Sequence, residues 1–344
     1  MSIILEYIWL DGISKLRSKY KTIYHDNINF TLKDVPNWNY DGSSTFQATT
    51  ENSEIILVPC NIYKNPFFQN NNSYLVLCDT YYRKNNILTP TDTNHRNMAN
   101  KIFNMQLEME PWFGIEQEYF MMSCNNTHDS DIPIMFITDM NPMEQGNYYC
   151  GVGNQHITHR FIAERHYRWC LYAGLKISGI NAEVAPNQWE YQIGPCVGIE
   201  AGDQLWVSRY ILHRLSEDYN VNISFKPKPL KSPWNGSGLH TNFSTKDTRE
   251  VDGLNIMTKY IELMKPKHME HMAVYGDNSE RLCGMCETSK IDEFTCGYGN
   301  RGCSIRIPTD VIINKQGYFE DRRPAADADP YLVSSIIFKT CCLE

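Results

Sequence analysis

The sequence predicts an α+β protein: a small β-rich N-terminal domain over residues 1–88, then a larger domain of mixed helices and strands over residues 89–344. Three observations predict this. Short apolar and aromatic runs, separated by turn formers, fill the first 88 residues. From residue 89 onward, helical periodicity alternates with strand-like pieces. Several of those strand-like pieces carry carboxylates among apolar neighbours, which a purely structural strand avoids.

The elements follow in order. "EYIWLDG" (6–12), "EIILVPC" (54–60) and "SYLVLCDTYY" (73–82) read as strands, by their β-branched and aromatic content. "VPNWNYDGSST" (35–45) is rich in turn formers, and "NPFFQNNNS" (65–73) reads as a polar loop. The spacing of Met98, Ile102 and Met105 predicts a helix over 89–110, with Asp92 or Thr93 at its N-cap. Further helices are expected over 155–173, 199–219 and about 253–265. Strand-like pieces stand at 188–193, 239–244 and 303–307, and no internal repeat is present.

Composition narrows the function classes. The chain has 344 residues, 42% hydrophobic and 21% charged, with formal net charge −8. No basic block is present, which argues against a nucleic-acid partner. No apolar run reaches the ~18 residues that a membrane-crossing helix needs. The start, "MSIILEYIWLDG", lacks a basic region and a cleavage site, so no signal peptide is expected. The twelve cysteines then read as reduced thiols of a cytoplasmic protein. Cys283 and Cys286 form C-x-x-C, followed by Cys296 and Cys303. That spacing lacks the second tight pair of a zinc site and the strand-to-helix setting of a redox motif. These are expected to be structural thiols.

The chemistry starts at "WFGIEQEYF" (112–120). In a strand, residues two apart point to one face, so Glu116 and Glu118 would share a side among apolar neighbours. Two such carboxylates repel and are costly to desolvate, and a cation is the simplest compensation. Further candidate ligands are Glu183 and Glu190 in "NAEVAPNQWEYQIGP", His240 in "WNGSGLHTNFS", Glu320 in "GYFEDRRP" and Glu287 in "GMCETS". Pro186 favours a hairpin-like turn between Glu183 and Glu190. His240, Asn242 and Ser244 would line one strand face. Taken singly, His240 reads as a satisfied structural histidine and Glu320 as an ion-paired turn residue; the joint pattern is more specific. Oxygen-rich ligation with one imidazole suits Mg²⁺ or Mn²⁺, and two such ions suit phosphoryl chemistry. Arg281, Arg301, Arg306 and Arg322 would suit a ligand bearing phosphate and carboxylate. No Walker A sequence is present, so a nucleotide would not be held by a P-loop.

With these motifs in hand, the chain resembles the short eukaryotic-type glutamine synthetases. "NYDGSS", "WFGIEQEY", "YYCGVG", "NAEVAPNQWEYQIGP", "WNGSGLHTNFS", "ETS", "NRGCSIRIP" and "GYFEDRRP" occur in that family's order, over nearly the whole chain. The resemblance implies a β-grasp N-terminal domain and a glutamine synthetase/guanido kinase-like catalytic domain with a curved antiparallel sheet. It implies ATP-dependent ligation of ammonia to L-glutamate through a γ-glutamyl phosphate, with two or three Mg²⁺ or Mn²⁺ ions. It also implies a decamer of two stacked pentameric rings, with sites between subunits.

Carried over motif by motif, the resemblance assigns Glu118, Glu183 and Glu190 to one metal and Glu116, His240 and Glu320 to the other. Asn235, Gly236, Arg281, Arg301 and Arg322 would bind glutamate, with Arg322 on its reacting carboxylate. Arg301 and Arg306 would meet the phosphates. Trp112, Glu190, Pro195, Asn242, Ser244 and Tyr318 would surround the nucleotide. Asp41, Ser44 and Tyr149 would form an ammonium pocket, Asp41 and Ser44 arriving from the adjacent subunit, and Glu287 would be the carboxylate of a closing flap. Taken alone, Asp41 is a turn residue.

The chain departs from the family's pattern at Cys286, where histidine is usual, and at Gly302 and Cys303, where the family has Ser-Ala. Both termini are slightly short. Two other readings use the same fold: a γ-glutamyl-amine ligase, which a small acidic ammonium pocket argues against, and a non-catalytic structural relative, which the intact ligand set argues against.

Overall fold

In a computed structural model the described residues are 1–25, 29–68, 72–124, 133–134, 145–231 and 234–344. They form two compact units, one of residues 1–101 with 169–175 and one of residues 102–168 with 176–344.

The first unit holds a six-stranded sheet: β1 (Ser2–Leu10), β2 (Leu16–Tyr24), β3 (Trp38–Asp41), β4 (Glu54–Lys64), β5 (Ser73–Lys84) and β6 (Ile87–Pro90). Their order is β2-β1-β5-β4-β3, with β6 also on β5. Only the β1–β5 pairing is parallel. Ile3, Leu5, Tyr7 and Trp9 alternate along β1 and pack with Leu57 and Val76 into one core. β2, "LRSKYKTIY", gave no strand signal because charged side chains fill it. It is an edge strand, where lysines are tolerated and discourage stray pairing. Of the Asn-rich loop expected at 65–73, residues 69–71 lie outside the described residues.

The helix expected over 89–110 is shorter: α1 spans His95–Phe103. Thr89 and Pro90 belong to β6 instead. The cap is Asn94, not Asp92 or Thr93: its side-chain oxygen accepts the Asn97 amide at 3.1 Å. Beyond Phe103 the chain turns through Leu107–Met109, and Glu110 adopts a left-handed conformation (φ 47°).

The second unit holds an eight-stranded sheet: β7 (Trp112–Ser123), β8 (Ile177–Ala182), β9 (Gln188–Val197), β10 (Val221–Ser224), β11 (Leu239–Ser244), β12 (Cys296–Tyr298), β13 (Ile305–Ile307) and β14 (Phe319–Asp321). The order is β12-β13-β14-β11-β7-β9-β8, with β10 also on β7. All pairings are antiparallel except β12–β13. Of the helices, α2 is Arg160–Ala173, α3 Glu200–Glu217, α4 Gly253–Met264, α5 His268–Met272, α6 Thr309–Asn314 and α7 Pro330–Phe338. α3 is buried along most of its length and packs on β9, β7 and α7. α7 escaped the sequence reading, although Asp329 caps it (2.9 Å to the Tyr331 amide) ahead of Pro330 in its first turn. Phe113, Phe243 and Phe319, one on each of three neighbouring strands, pack with ring centroids 5.1 Å (tilted) and 5.6 Å (edge-to-face) apart and form part of the core. The other face of these strands carries the acids.

Candidate active site

Strand register places the acids. Glu116 on β7 stands directly opposite His240 on β11. Glu118 stands opposite Glu190 on β9. Asn242 stands opposite Glu320 on β14, and Glu320 opposite Arg306 on β13. Glu183 follows β8 in the tight turn into β9, where its amide donates to the Gln188 carbonyl at 2.8 Å, as Pro186 led us to expect. Side chains that are far apart in sequence therefore share one sheet face.

Glu116, His240 and Glu320 offer ligand atoms that all lie within 4.8 Å of one another. His240 Nδ1 is 3.5 Å from Glu116 Oε2 and 3.4 Å from Glu320 Oε1. Burial, then the Arg322 guanidinium, holds the imidazole well below its ordinary value, so it is neutral, the form in which an imidazole can bind a metal. Arg281 lies on its other side, with Nη2 3.2 Å from Nε2. Glu320 is 1% exposed and accepts from Arg306 at 2.8 Å and Arg322 at 2.6 Å. Asn242 donates to Glu116 at 2.9 Å.

The second group is Glu118, Glu183 and Glu190. Burial pushes Glu118 up to about 7, against partial relief from Arg281. Burial and the neighbouring Glu118 push Glu183 up to about 8. Burial, then Glu116 and Glu118, pushes Glu190 up to about 9. Two buried acids and one half-buried acid, raised by burial and by neighbouring carboxylates, are only partly compensated by the nearby arginines. A divalent cation fits that need, and its binding would ionise them. Each is also oriented: Glu118 accepts from the Gly238 amide (2.9 Å) and Gln188 (3.1 Å), Glu183 from Asn181 (2.9 Å), and Glu190 from Gln192.

A cavity of 180 Å³ joins the two groups. Tyr149, Asn235, Gly236, Arg281, Glu287, Arg301 and Arg322 also line it. Gly236 is required there, because a Cβ would sit 2.4 Å from the Pro227 carbonyl and 3.0 Å from Arg281. Arg281 is fixed by the Arg322 and Arg323 carbonyls, at 3.1 and 3.2 Å. Burial lowers it only to about 10, so it stays charged. Arg322 reaches the Arg301 carbonyl at 3.0 Å. Cys286 lines the same cavity beside Glu287, and both adopt left-handed backbone, with φ of 54° and 61°.

A second cavity, of 440 Å³, shares Glu116 with the first. Trp112, Gly194, Pro195, Asn242, Ser244 and Tyr318 are among its walls. Arg249, which the sequence reading missed, lies 3.8 Å from the Trp112 ring centroid and donates to Ser244 Oγ at 3.0 Å. No sequence signal marked Arg249. Gln192 could have been found, since it shares a strand face with Glu190 two residues away.

Asp41 and Ser44 belong to the first unit. Asp41 is exposed and caps the turn Gly42–Thr45, accepting from the Ser43 and Ser44 hydroxyls at 2.6 Å each. Those hydrogen bonds hold its carboxyl below the usual range, so it is a fixed negative charge at neutral pH. None of the twelve cysteines forms a disulfide. Among the described residues no helix is long and apolar enough to cross a membrane.

Comparison with known proteins adds the following. The family described as "Glutamine synthetase, catalytic domain" matches residues 93–264. A protein of Acanthamoeba polyphaga mimivirus is 50% identical over 98% of this chain and 94% of its own length. The glutamine synthetase of Schizosaccharomyces pombe is 49% identical over 98% of this chain and 91% of its own. That of Gallus gallus is 47% identical over 98% and 89%. The Plasmodium falciparum glutamine synthetase, determined by cryoEM, has the same fold, with a TM-score of 0.75 at 17% identity over 98% of this chain and 71% of its own.

Proposed function

This chain belongs to the glutamine synthetase family, and from that premise we propose how its own residues carry out the reaction. It is a glutamate–ammonia ligase that uses ATP to form L-glutamine. The observation that supports our account of the site is the single sheet face holding both acid groups, with a roomy, largely apolar cavity opening beside Glu116.

Glu118, Glu183 and Glu190 would hold one divalent ion, and Glu116, His240 and Glu320 another, of two or three Mg²⁺ or Mn²⁺. Such ions, when bound, neutralise triphosphate charge and polarise the transferred phosphoryl group. The base of ATP occupies the cavity of Trp112, Pro195, Asn242, Ser244 and Tyr318, with Glu190 in the adjoining cavity toward its phosphates. Arg301 and Arg306 receive the phosphates. Asn235, Gly236, Arg281 and Arg301 hold glutamate, and Arg322 directs its γ-carboxylate toward the γ-phosphorus. A carboxylate oxygen attacks that phosphorus and ADP leaves, giving γ-glutamyl phosphate.

Ammonium, the abundant species at neutral pH, is bound as a cation by Asp41, Ser44, Tyr149 and Glu287. We assign Asp41 and Ser44 to a neighbouring copy of the chain, within stacked pentameric rings that form a cytoplasmic decamer. Asp41 or Glu287 takes a proton, ammonia attacks the γ-carbon, and phosphate leaves. Glu287 closes over the cavity and keeps water from the acyl phosphate.

The test is a direct assay with ATP, Mg²⁺, glutamate and ammonium. Equal yields of glutamine, ADP and phosphate are expected, together with a native mass near ten chains. Faster turnover of ethylamine or putrescine would point to an amine ligase. No product at all would point to a non-catalytic relative.

A further inference from the structure

Behind the strand of two glutamates lies a polar network that the mechanism above does not use. Gln117 sits between Glu116 and Glu118, so its side chain leaves the opposite face of β7. It is fully buried. Its amide nitrogen donates to the Glu118 carbonyl at 2.9 Å and to the Ala326 carbonyl at 3.0 Å. Its amide oxygen accepts from Arg209 Nε at 2.8 Å. Arg209, on α3, is 2% exposed and also donates to the Ala326 carbonyl at 2.9 Å and the Ala328 carbonyl at 3.0 Å. Its guanidinium lies 4.7 Å from the Trp206 ring centroid and 5.2 Å from that of Phe225, which fixes its plane.

Two features of this network are unusual for a structural core. A buried guanidinium normally hydrogen-bonds a carboxylate directly, whereas the Asp329 and Asp327 carboxylates favour the charge of Arg209 only through space. Its bonds go to one amide and two carbonyls. The network also joins strands that are not neighbours. β11 lies between β7 and β14 in the sheet. Residues 326 and 328 follow β14 by a few positions, just after Glu320 and Arg322. The link from Gln117 to Ala326 therefore spans behind β11, from the strand of Glu116 and Glu118 to the segment that carries Glu320. A second tie closes the loop, from the Ala326 amide to the Ser237 carbonyl at 3.1 Å, just before β11 and His240.

We propose that Gln117 and Arg209 form a rear-face clamp that sets the spacing of the metal ligands across β7, β11 and β14. They are positioning residues, acting through Glu116, Glu118 and Glu320. Ladder hydrogen bonds fix each strand to its neighbour but leave the sheet free to twist and shear over three strands. A rigid amide–guanidinium unit anchored on α3 removes that freedom. The proposal rests on the metal-site reading above, since without ions there is no spacing to hold.

The experiment titrates metal-free protein with Mn²⁺, followed by the EPR signal of the free ion, with no substrate present. Wild type, Gln117→Met and Gln117→Glu are compared. Circular dichroism and native mass check that each is folded and assembled. Methionine keeps the side-chain length and loses every hydrogen bond. Glutamate keeps the Arg209 partner and loses the amide donors.

Gln117→Met is expected to weaken Mn²⁺ binding by about 10–100-fold, the usual cost of losing a group that orients metal ligands, with Gln117→Glu in between. A folded Gln117→Met that binds Mn²⁺ as wild type does would overturn the clamp. Failure of both variants to fold would assign the network to folding alone and overturn it equally. Wild type that binds no Mn²⁺ would instead remove the metal-site reading on which the clamp rests.

Discussion

The two cavities that meet at Glu116 are built on opposite principles. One is small and lined by carboxylates, an imidazole and guanidinium groups, and three of its acids are held partly protonated by burial and mutual repulsion. The other is more than twice as large and is lined by aromatic rings, glycines and strand backbone. In the first, function follows from charge, so the identity of each side chain matters. In the second it follows from shape, and one wall can be altered while the rest still excludes water. A charge-built cavity should fail outright when one member is removed. A shape-built cavity should lose affinity by degrees.

Glu190→Ala gives the largest expected effect. It removes a carboxylate that sits opposite Glu118 and shares its repulsion. Glutamine formation should fall on the order of 10³-fold, with metal-dependent ATP binding lost. Steady-state rates and calorimetric nucleotide titration check this, and activity within tenfold of wild type would break the contrast. Next is Asp41→Ala, which asks whether charge logic extends to the first unit. Asp41 is already ionised by its serine hydrogen bonds, so its loss should raise the ammonium KM by about 10²-fold, while the ATP KM stays level. An unchanged ammonium KM would remove Asp41 from the pocket.

Trp112→Ala probes the other cavity. The ring is stacked against Arg249 at 3.8 Å, so removing it takes away one wall and leaves Pro195, Ser244 and Tyr318. Loss of one aromatic contact is worth about 1–1.5 kcal/mol, or roughly tenfold in ATP KM, with kcat nearly unchanged. A thousandfold collapse in kcat would show that both cavities depend on charge.

The same contrast explains what could be read from the sequence. Glu116 and Glu118 stood out because acids on an apolar strand are physically expensive, and that anomaly led to Glu183, Glu190, His240 and Glu320. Strand register groups Glu116, Glu118, Glu190, His240 and Glu320 on one sheet face, as the i, i+2 alternation anticipated within β7 and β11, and the turn after β8 brings Glu183 to them. Arg249 gave no such signal, because an arginine after a strand is usually a surface residue. α7 was missed because "PYLVSSIIF" is apolar all round and lacks an amphipathic period. β2 was missed for the opposite reason: its charges obscured an edge strand. The motif order carried the family assignment that the full-length relatives bear out.

The smallest expected effect tests charge most directly, through pH. Burial and the Glu116 and Glu118 carboxylates raise Glu190 to about 9 in the folded protein, against an ordinary 4.5. A raised acid contributes stability that is complete below its unfolded value and is lost as pH rises through its folded value. Metal-free protein should therefore lose stability between about pH 5 and 9, because ionising Glu190 without a partner opposes folding. Glu190→Gln cannot ionise, so its melting temperature should fall less steeply over that range, by a few degrees at most in a chain this size. Saturating Mn²⁺ should flatten the wild-type curve and leave the variant little changed. Metal affinity itself should rise with pH, because binding releases protons from the raised acids. Thermal melts at pH 6 and 8.5, with and without Mn²⁺, decide the matter: parallel slopes for wild type and Glu190→Gln would mean that Glu190 is already compensated by its protein neighbours, and the first cavity would no longer need a cation to explain it.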